Sequence, residues 1–485
     1  MAEIVSEKDA LGDKDVQATE TYLDNEEATE PDWTEQEEKK LVRKVDFIIM
    51  PLLILTFFTL QLNRGNIGSA LTNNFFQDVG ITQNEFNIGQ QLLSAGIVVF
   101  EIPSNMMLYR LGPVSWLGPQ IVAWGLVGTF QSFQKGLGAY LTTRLLLGIC
   151  ESGFIPGGLF TMTRYYKTQE LGRRFSAYFL GNMVASACSG LMAYGIIRHL
   201  NQRSGLAGWQ WIFLIEGVMA IGGGILFILL FPRDNANPLN LFGYQYFNER
   251  ERYILRQRLI LDDPSKARKG GRHVPRADLR KVFTNWRLIP HVITTIGGIA
   301  PTQGLGSYLP TLVIGMGYSP LDANAMISIG IWLLVFGTLL WGYLSDKFKI
   351  PGRLVFLGLL LYWSFTLANR LLIYNPNGVT RFAVLTVGMM FSTCWHAVHG
   401  SWLAMNCVTE GERSVTMAIH IMGANLAGII GAQLFRQEDR PYYPKGWMAI
   451  LILITFALVA SGLANLQYII LNRKGKHPKG QKYRY

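Results

Sequence analysis

Arg144 and Glu151 lie seven residues apart in a run that is otherwise apolar from about 138 to 162. On a helix that spacing returns to nearly the same face, about 20° round and about 10 Å along the axis. A guanidinium keeps its charge and can hold a carboxylate through two parallel bonds. A carboxyl can take a proton when buried and release it when water returns. The pair therefore offers an anion site beside a proton site, with Glu151 as the proton carrier; the plain alternative is a salt bridge locking this segment to its neighbours. Arg64 stands in a second apolar run, after Asn63 and among Gly65, Gly68, Ser69 and Ala70. It reads either as an anion ligand facing a cavity or as an interfacial arginine reaching outward.

Other polar residues are embedded in apolar runs. His396 and His399 share a helix face, but zinc wants four ligands and no carboxylate stands at a matching spacing, so no metal is expected. They read as substrate-binding or proton-responsive groups, or as a packed interhelical pair. Gln303, Ser307 and Tyr308, beside Gly304 and Gly306, suit the polar lining of a broken or gating helix. Gln90 and Gln91 could line the same cavity or bond other helices. Glu101 and Asn105 flank Pro103, where a helix loses a backbone bond. These two, with Glu216 and Asp346, are read as structural or gating groups.

The elements that position these residues follow from composition and periodicity. Charged residues make up 16% of the 485-residue chain, against roughly 25% in a soluble globular protein, and mean hydropathy is +0.21. Apolar runs at about 46–68, 86–108, 114–134, 138–162, 174–198, 209–231, 288–313, 323–344, 353–373, 380–405, 414–435 and 447–471 are each long enough to span a bilayer as a helix. They are numbered spans 1 to 12. The fold expected is an all-α membrane protein of twelve transmembrane helices in two six-helix pseudo-repeats. The repeats are offset by 242 residues for spans 1 and 7 and again for spans 4 and 10. The expected divisions are a disordered acidic tail over 1–45, bundles over 46–231 and 288–471, a polar loop over 232–287 containing a short helix near 248–258, and a basic tail over 472–485.

Of the 44 Lys and Arg, the tails and even-numbered loops hold 34 and the opposite loops hold 8. That bias places both termini in the cytoplasm. Basic loops between apolar runs set topology, so nucleic acid is not an expected partner; the bilayer is. The four cysteines fall within apolar segments and make no disulfide framework. Neither a phosphate loop nor a hydrolase nucleophile motif occurs, so no enzyme and no cofactor is expected.

Arg144-x-x-x-Gly148-x-x-Glu151-x-Gly153-x-x-Pro156-Gly157 resembles the span-4 signature of the major facilitator superfamily, and Gly342-x-x-x-Asp346-Lys347 a degenerate copy of its loop signature. Within it, the chain is similar to the anion:cation symporters and to fungal allantoate permeases. That resemblance rests on Trp33 to Lys40, Lys44-Val-Asp46, Arg64-Gly-Asn66-Ile-Gly68, Glu101-Ile-Pro103-Ser104-Asn105, Gly208-Trp209-x-Trp211, Asn406 and Asn425-x-x-Gly428. It implies a single-chain transporter at the plasma membrane that takes up a small organic anion with protons, such as allantoate, nicotinate or pantothenate. It also implies that Arg64 and Arg144 bind substrate, with Asn63, Gln303, Tyr308, His396 and His399 nearby, and that Glu151 couples protons. Relatives often carry an acid before the first arginine; Asn63 cannot titrate. The same fold serves proton-antiporting exporters, and a non-transporting nutrient receptor would need a longer output segment.

The charge bias carries a test. Protease added to intact cells should spare epitope tags at both ends; external loss of both tags would overturn the topology.

Overall fold

The computed structural model describes residues 32–233, 238–262, 276–408, 410–475 and 482–485. Among these the structure is helical, with one isolated β-bridge between Leu239 and Gln245. The first bundle is built from Glu35–Ala70, Gln83–Leu111, Pro113–Phe130, Gly136–Glu151 with Phe154–Thr163, Thr168–Leu200 and Gly208–Leu230. The second uses Ile289–Ile314, Pro320–Phe348, Pro351–Leu371, Gly378–Met390 with Cys394–Met405, Glu410–Gly431 and Pro444–Arg473. Nine of the twelve spans, among the described residues, are long and apolar enough to cross a membrane individually.

Local chemistry sets the helix starts. Thr34 and Glu37 form a reciprocal capping box at span 1, as do Thr82 and Glu85 at span 2. Proline opens spans 3, 7, 8, 9 and 12 within their first two residues, where its missing N–H costs nothing. The capping box at Thr34 corrects the expected boundary of the acidic tail. Residues 1–31 lie outside the described residues, but 35–45 are helix, and Leu41 and Val45 are buried. The short helix of the central loop is present as Glu249–Asp262. It docks on the end of the first bundle through Lys44 to Glu251 at 2.7 Å and Arg258 to Glu170.

The break expected in span 7 is absent. Ile289–Ile314 runs as one helix through Pro301 and Pro310. Its glycines serve close packing instead: a Cβ on Gly304 would stand 2.6 Å from the Gly431 carbonyl. The breaks fall in spans 4 and 10, at corresponding places in the two halves. Ser152 and Gly153 interrupt the first, and residues 391–393 the second.

The two halves meet at the end of the molecule opposite the termini, here the distal end. One apolar core spans both halves there, joining Phe86, Tyr140 and Trp209 to Tyr308, Phe435 and Trp447. Toward the terminal end each half keeps its own core, around Phe57, Trp124 and Tyr178 in the first and Trp395 and Trp402 in the second.

Spans 2 and 4 touch through glycine. A Cβ on Gly148 would lie 2.3 Å from the Leu93 carbonyl oxygen, which is backbone and cannot turn aside. Gly148→Ala should therefore force the helices apart and cost on the order of 1–3 kcal/mol, the usual range for overpacking. Gly222→Ala, where nothing lies within 4 Å, should be neutral. Thermal unfolding of both variants in detergent checks the pair; equal stability would contradict the close approach.

Candidate functional site

The break in span 4 decides where Glu151 points. Glu151 is the last residue of Gly136–Glu151, and the chain then passes through extended Ser152 to Gly153 at φ 72°. That left-handed conformation favours glycine. Space requires it as well, since a Cβ there would meet Ser104 Oγ at 2.8 Å. Span 3 satisfies the freed backbone, with Gln120 Nε2 donating to the Ser152 carbonyl at 2.5 Å.

From this corner Glu151 reaches span 1. Arg64 Nε donates to Glu151 Oε2 at 2.6 Å, with the Glu151 side chain fully buried and that of Arg64 26% exposed. The partner of Glu151 is thus Arg64 and not its helix-mate. Arg144 is buried under aromatic rings, its guanidinium 5.5 Å from the Tyr140 centroid and 6.0 Å from that of Phe213. Its charge acts on Glu151 together with that of Arg64. Arg144 Nε and Nη2 and Glu151 Oε1 find no hydrogen-bond partner in the protein. Buried donors on a fixed cation and a free carboxylate oxygen are what an incoming anion and proton would engage.

The remaining candidate residues are dispersed. Asn63 is turned into the packing of spans 1 and 6, its amide donating to the carbonyls of Thr59 at 3.0 Å and Glu216 at 3.4 Å. Glu216 is fully buried beside it, and neither of its oxygens has a hydrogen-bond partner. Tyr308 lies at the distal contact, its hydroxyl donating to Asn87 Oδ1. Gln91 is there too, donating to the Ile429 carbonyl at 3.0 Å and accepting from Gln433 at 2.9 Å. Glu101 accepts from Asn425 Nδ2 across the two halves at 2.9 Å, and Asn105 donates back to the Glu101 carbonyl at 2.8 Å. Gln303 is exposed on span 7, and Asp346 is exposed near the end of span 8.

His396 and His399 are joined to two histidines from other spans, not to the Arg64–Glu151 pair. His399 bonds His291, and His396 stacks on His420 with ring centroids 4.6 Å apart. His291 and His420 carry no sequence signal of their own, because each is the lone histidine in its span.

The same chain matches the model of the Major Facilitator Superfamily over residues 53–432. The chain belongs to the major facilitator superfamily. It is 30% identical over 445 residues, 91% of its length and 82% of the relative's, to the uncharacterized transporter YIL166C of Saccharomyces cerevisiae. It is 27% identical over 455 residues, 91% of its length and 88% of the relative's, to the major facilitator-type transporter hxnP of Emericella nidulans. A protein of Agrobacterium vitis, named provisionally as a tartrate transporter, is 28% identical over 311 residues, 64% of this chain and 66% of its own. Among solved structures, a bacterial homologue of the lysosomal transporter Spinster, inward-facing and unoccupied, superposes with TM-score 0.65 at 15% identity, covering 90% of this chain and 97% of that one. A D-xylose-proton symporter does so with TM-score 0.64 at 12% identity, covering 87% and 97%. Relatives named as transporters make this major facilitator protein a multi-pass membrane transporter and not an enzyme.

The ion pair predicts a thermodynamic cycle. Arg64→Ala strands a fully buried carboxylate, a loss on the order of 3–5 kcal/mol. The double variant Arg64→Ala/Glu151→Gln should recover most of it, because the stranded carboxylate is then gone. Denaturation of the three proteins in detergent measures the coupling, and simple additivity would contradict the pairing.

Proposed function

We propose that this transporter carries a small organic anion together with protons by alternating access, with the anion held by Arg64 and Arg144 and the proton carried by Glu151. The observation behind this is the Arg64–Glu151 bond, a cation held internally by a titratable group, beside a second cation with unfilled donors. An arriving carboxylate competes with Glu151 for Arg64. Once released, Glu151 sits buried beside a cation whose charge is already matched, and burial then favours its neutral, protonated form. Binding of anion and proton thus reinforce each other, which is symport expressed as linkage.

The carboxylate class draws support from the Agrobacterium relative named for tartrate. The sequence resemblance to allantoate permeases points to the same class. The distal seal fits a state open toward the terminal end, which is the cytoplasmic side under the charge-derived topology. Asn63 is committed to packing, so it supplies no second proton site in span 1.

A counterflow screen of labelled carboxylates in proteoliposomes would identify the substrate, and the variants then divide binding from coupling. Arg144→Lys keeps the charge but loses the planar fork and should bind weakly; Arg144→Ala should not transport. Glu151→Gln mimics the protonated form, so counterflow should survive while accumulation driven by a pH gradient vanishes. Intact accumulation in Glu151→Gln would place the proton elsewhere.

A further inference from the structure

Four of the seven histidines in the chain converge in the terminal half of the second bundle, although they come from three spans. His291 is on span 7, His396 and His399 on span 10, and His420 on span 11. His291, His399 and His420 are buried. They form an ordered series of hydrogen bonds. The Tyr468 hydroxyl meets His291 Nε2 at 3.1 Å, His291 Nδ1 meets His399 Nε2 at 2.9 Å, and His399 Nδ1 meets Thr295 Oγ1 at 3.5 Å. Thr295 Oγ1 then meets His420 Nδ1 at 3.0 Å. The series uses both ring nitrogens of His291 and His399, as a through-going chain requires. One tautomer set runs through the series, with Tyr468 donating to His291, His291 to His399, His399 to Thr295 and Thr295 to His420, once the Thr295 hydroxyl turns to His420 from the His291 carbonyl that it also meets at 3.0 Å.

The first member of the series reaches a polar cavity. Tyr468 lines a space of about 250 Å³ at the terminal end, together with Lys281, Arg287, Glu412, Cys407 and Tyr483. Lys281 and Glu412 pair there at 2.6 Å, and Arg287 is bonded to Tyr483. A separate void of about 10 Å³ is lined by His291, Thr295 and His420 and shares Leu288, Leu403 and Thr416 with that cavity. Trp395 and Trp402 wall the series, with Trp402 4.6 Å from the His291 ring. His396, stacked on His420, has its Nδ1 without a hydrogen-bond partner.

We infer that Tyr468, His291, His399, Thr295 and His420 form a proton-conducting chain from the terminal-end cavity to the core of spans 10 and 11. It deepens the proton-coupled reading above, but it concerns a site that shares no contact with Arg64 or Glu151. The transfer balances without any co-reactant. As the Tyr468 hydroxyl proton passes to His291 Nε2, His291 Nδ1 gives its proton to His399 Nε2. His399 Nδ1 gives one to Thr295, and Thr295 gives its own to His420 Nδ1. A hydronium ion from the cavity returns a proton to Tyr468 and becomes water, so the one positive charge it carried ends on His420. Only one of the stacked pair His396 and His420 then holds a charge, since two adjacent imidazolium rings would repel.

The test uses protons alone, so it succeeds or fails separately from the role of Glu151. Full-length protein labelled with ¹⁵N-histidine, in nanodiscs, is titrated across the histidine range by NMR. The imidazole shifts of His291, His399 and His420 should move with one common midpoint. His399→Gln, which keeps hydrogen bonding but cannot pass a proton, should abolish that common midpoint and leave the His420 shifts constant. Thr295→Val provides an independent break that preserves shape, and it should have the same effect on His420. Histidines whose shifts stay constant, that titrate with separate midpoints, or whose His420 response survives both variants would overturn the relay and leave a packed polar core.

Discussion

The 2.6 Å contact between Arg64 and Glu151 places two ionised groups where ionised groups are costly, and much of the surrounding structure can be understood as meeting that cost. A guanidinium from span 1 and a carboxylate from span 4 must approach at one height in the bundle. Span 4 achieves this by stopping at Glu151, which frees the side chain from the direction a continuous helix would impose. The left-handed turn at Gly153 and the amide of Gln120 make the stop affordable. Arg144, one face of the same helix segment, gains ring contacts instead of a carboxylate. The result is an unequal pair of cations, one neutralised and one with donors to spare.

The bonds that join the halves are of a different kind. At the distal end they are mostly amides and carbonyls: Gln83 and Asn87 to the Phe435 carbonyl, Gln91 to Gln433, Asn425 to Glu101. A neutral hydrogen bond contributes only about 0.5–1.5 kcal/mol net, and water can replace it. The amide–carbonyl part of this seam can open and reclose without stranding charge, while Glu101, Arg440 and Glu438 add charged groups to it. The terminal end of the first bundle is instead tied by ion pairs to the linker helix, through Lys44, Arg258 and Glu170. Those bonds lie within one half plus its linker, so rocking of the halves would leave them intact. The fold therefore separates contacts that must exchange in alternating access from contacts that need not.

Most of the architecture was legible in the sequence because apolar length and glycine content report directly on helix existence. The start of span 1 was not, since its first turns are charged and only the Thr34–Glu37 capping box betrays them. The interruption expected in span 7 was misplaced for a related reason. Glycine marks both broken helices and close helix contacts, and at Gly304 the contact explains it. Arg64, Arg144 and Glu151 stood out because charge in an apolar run is conspicuous, yet their pairing is tertiary: spacing along one helix favoured Arg144 as the partner and the corner at Gly153 gave Arg64. Asn63 and Tyr308 stood out for the same reason, and the structure commits them to packing and to the distal seam. Of the histidine series only His399, with its neighbour His396, was legible, because His291 and His420 are lone histidines in their spans and the series is joined by tertiary contacts.

In the proposed exchange of Glu151 for a substrate anion at Arg64, proton uptake accompanies binding. The direct measurement is the pH dependence of substrate affinity in the purified protein, using the carboxylate returned by the counterflow screen. One proton taken up per anion gives about a tenfold gain in affinity for each unit of falling pH while Glu151 is ionised in the free protein. An affinity that does not change with pH would contradict the exchange and reduce the Arg64–Glu151 pair to a structural tie.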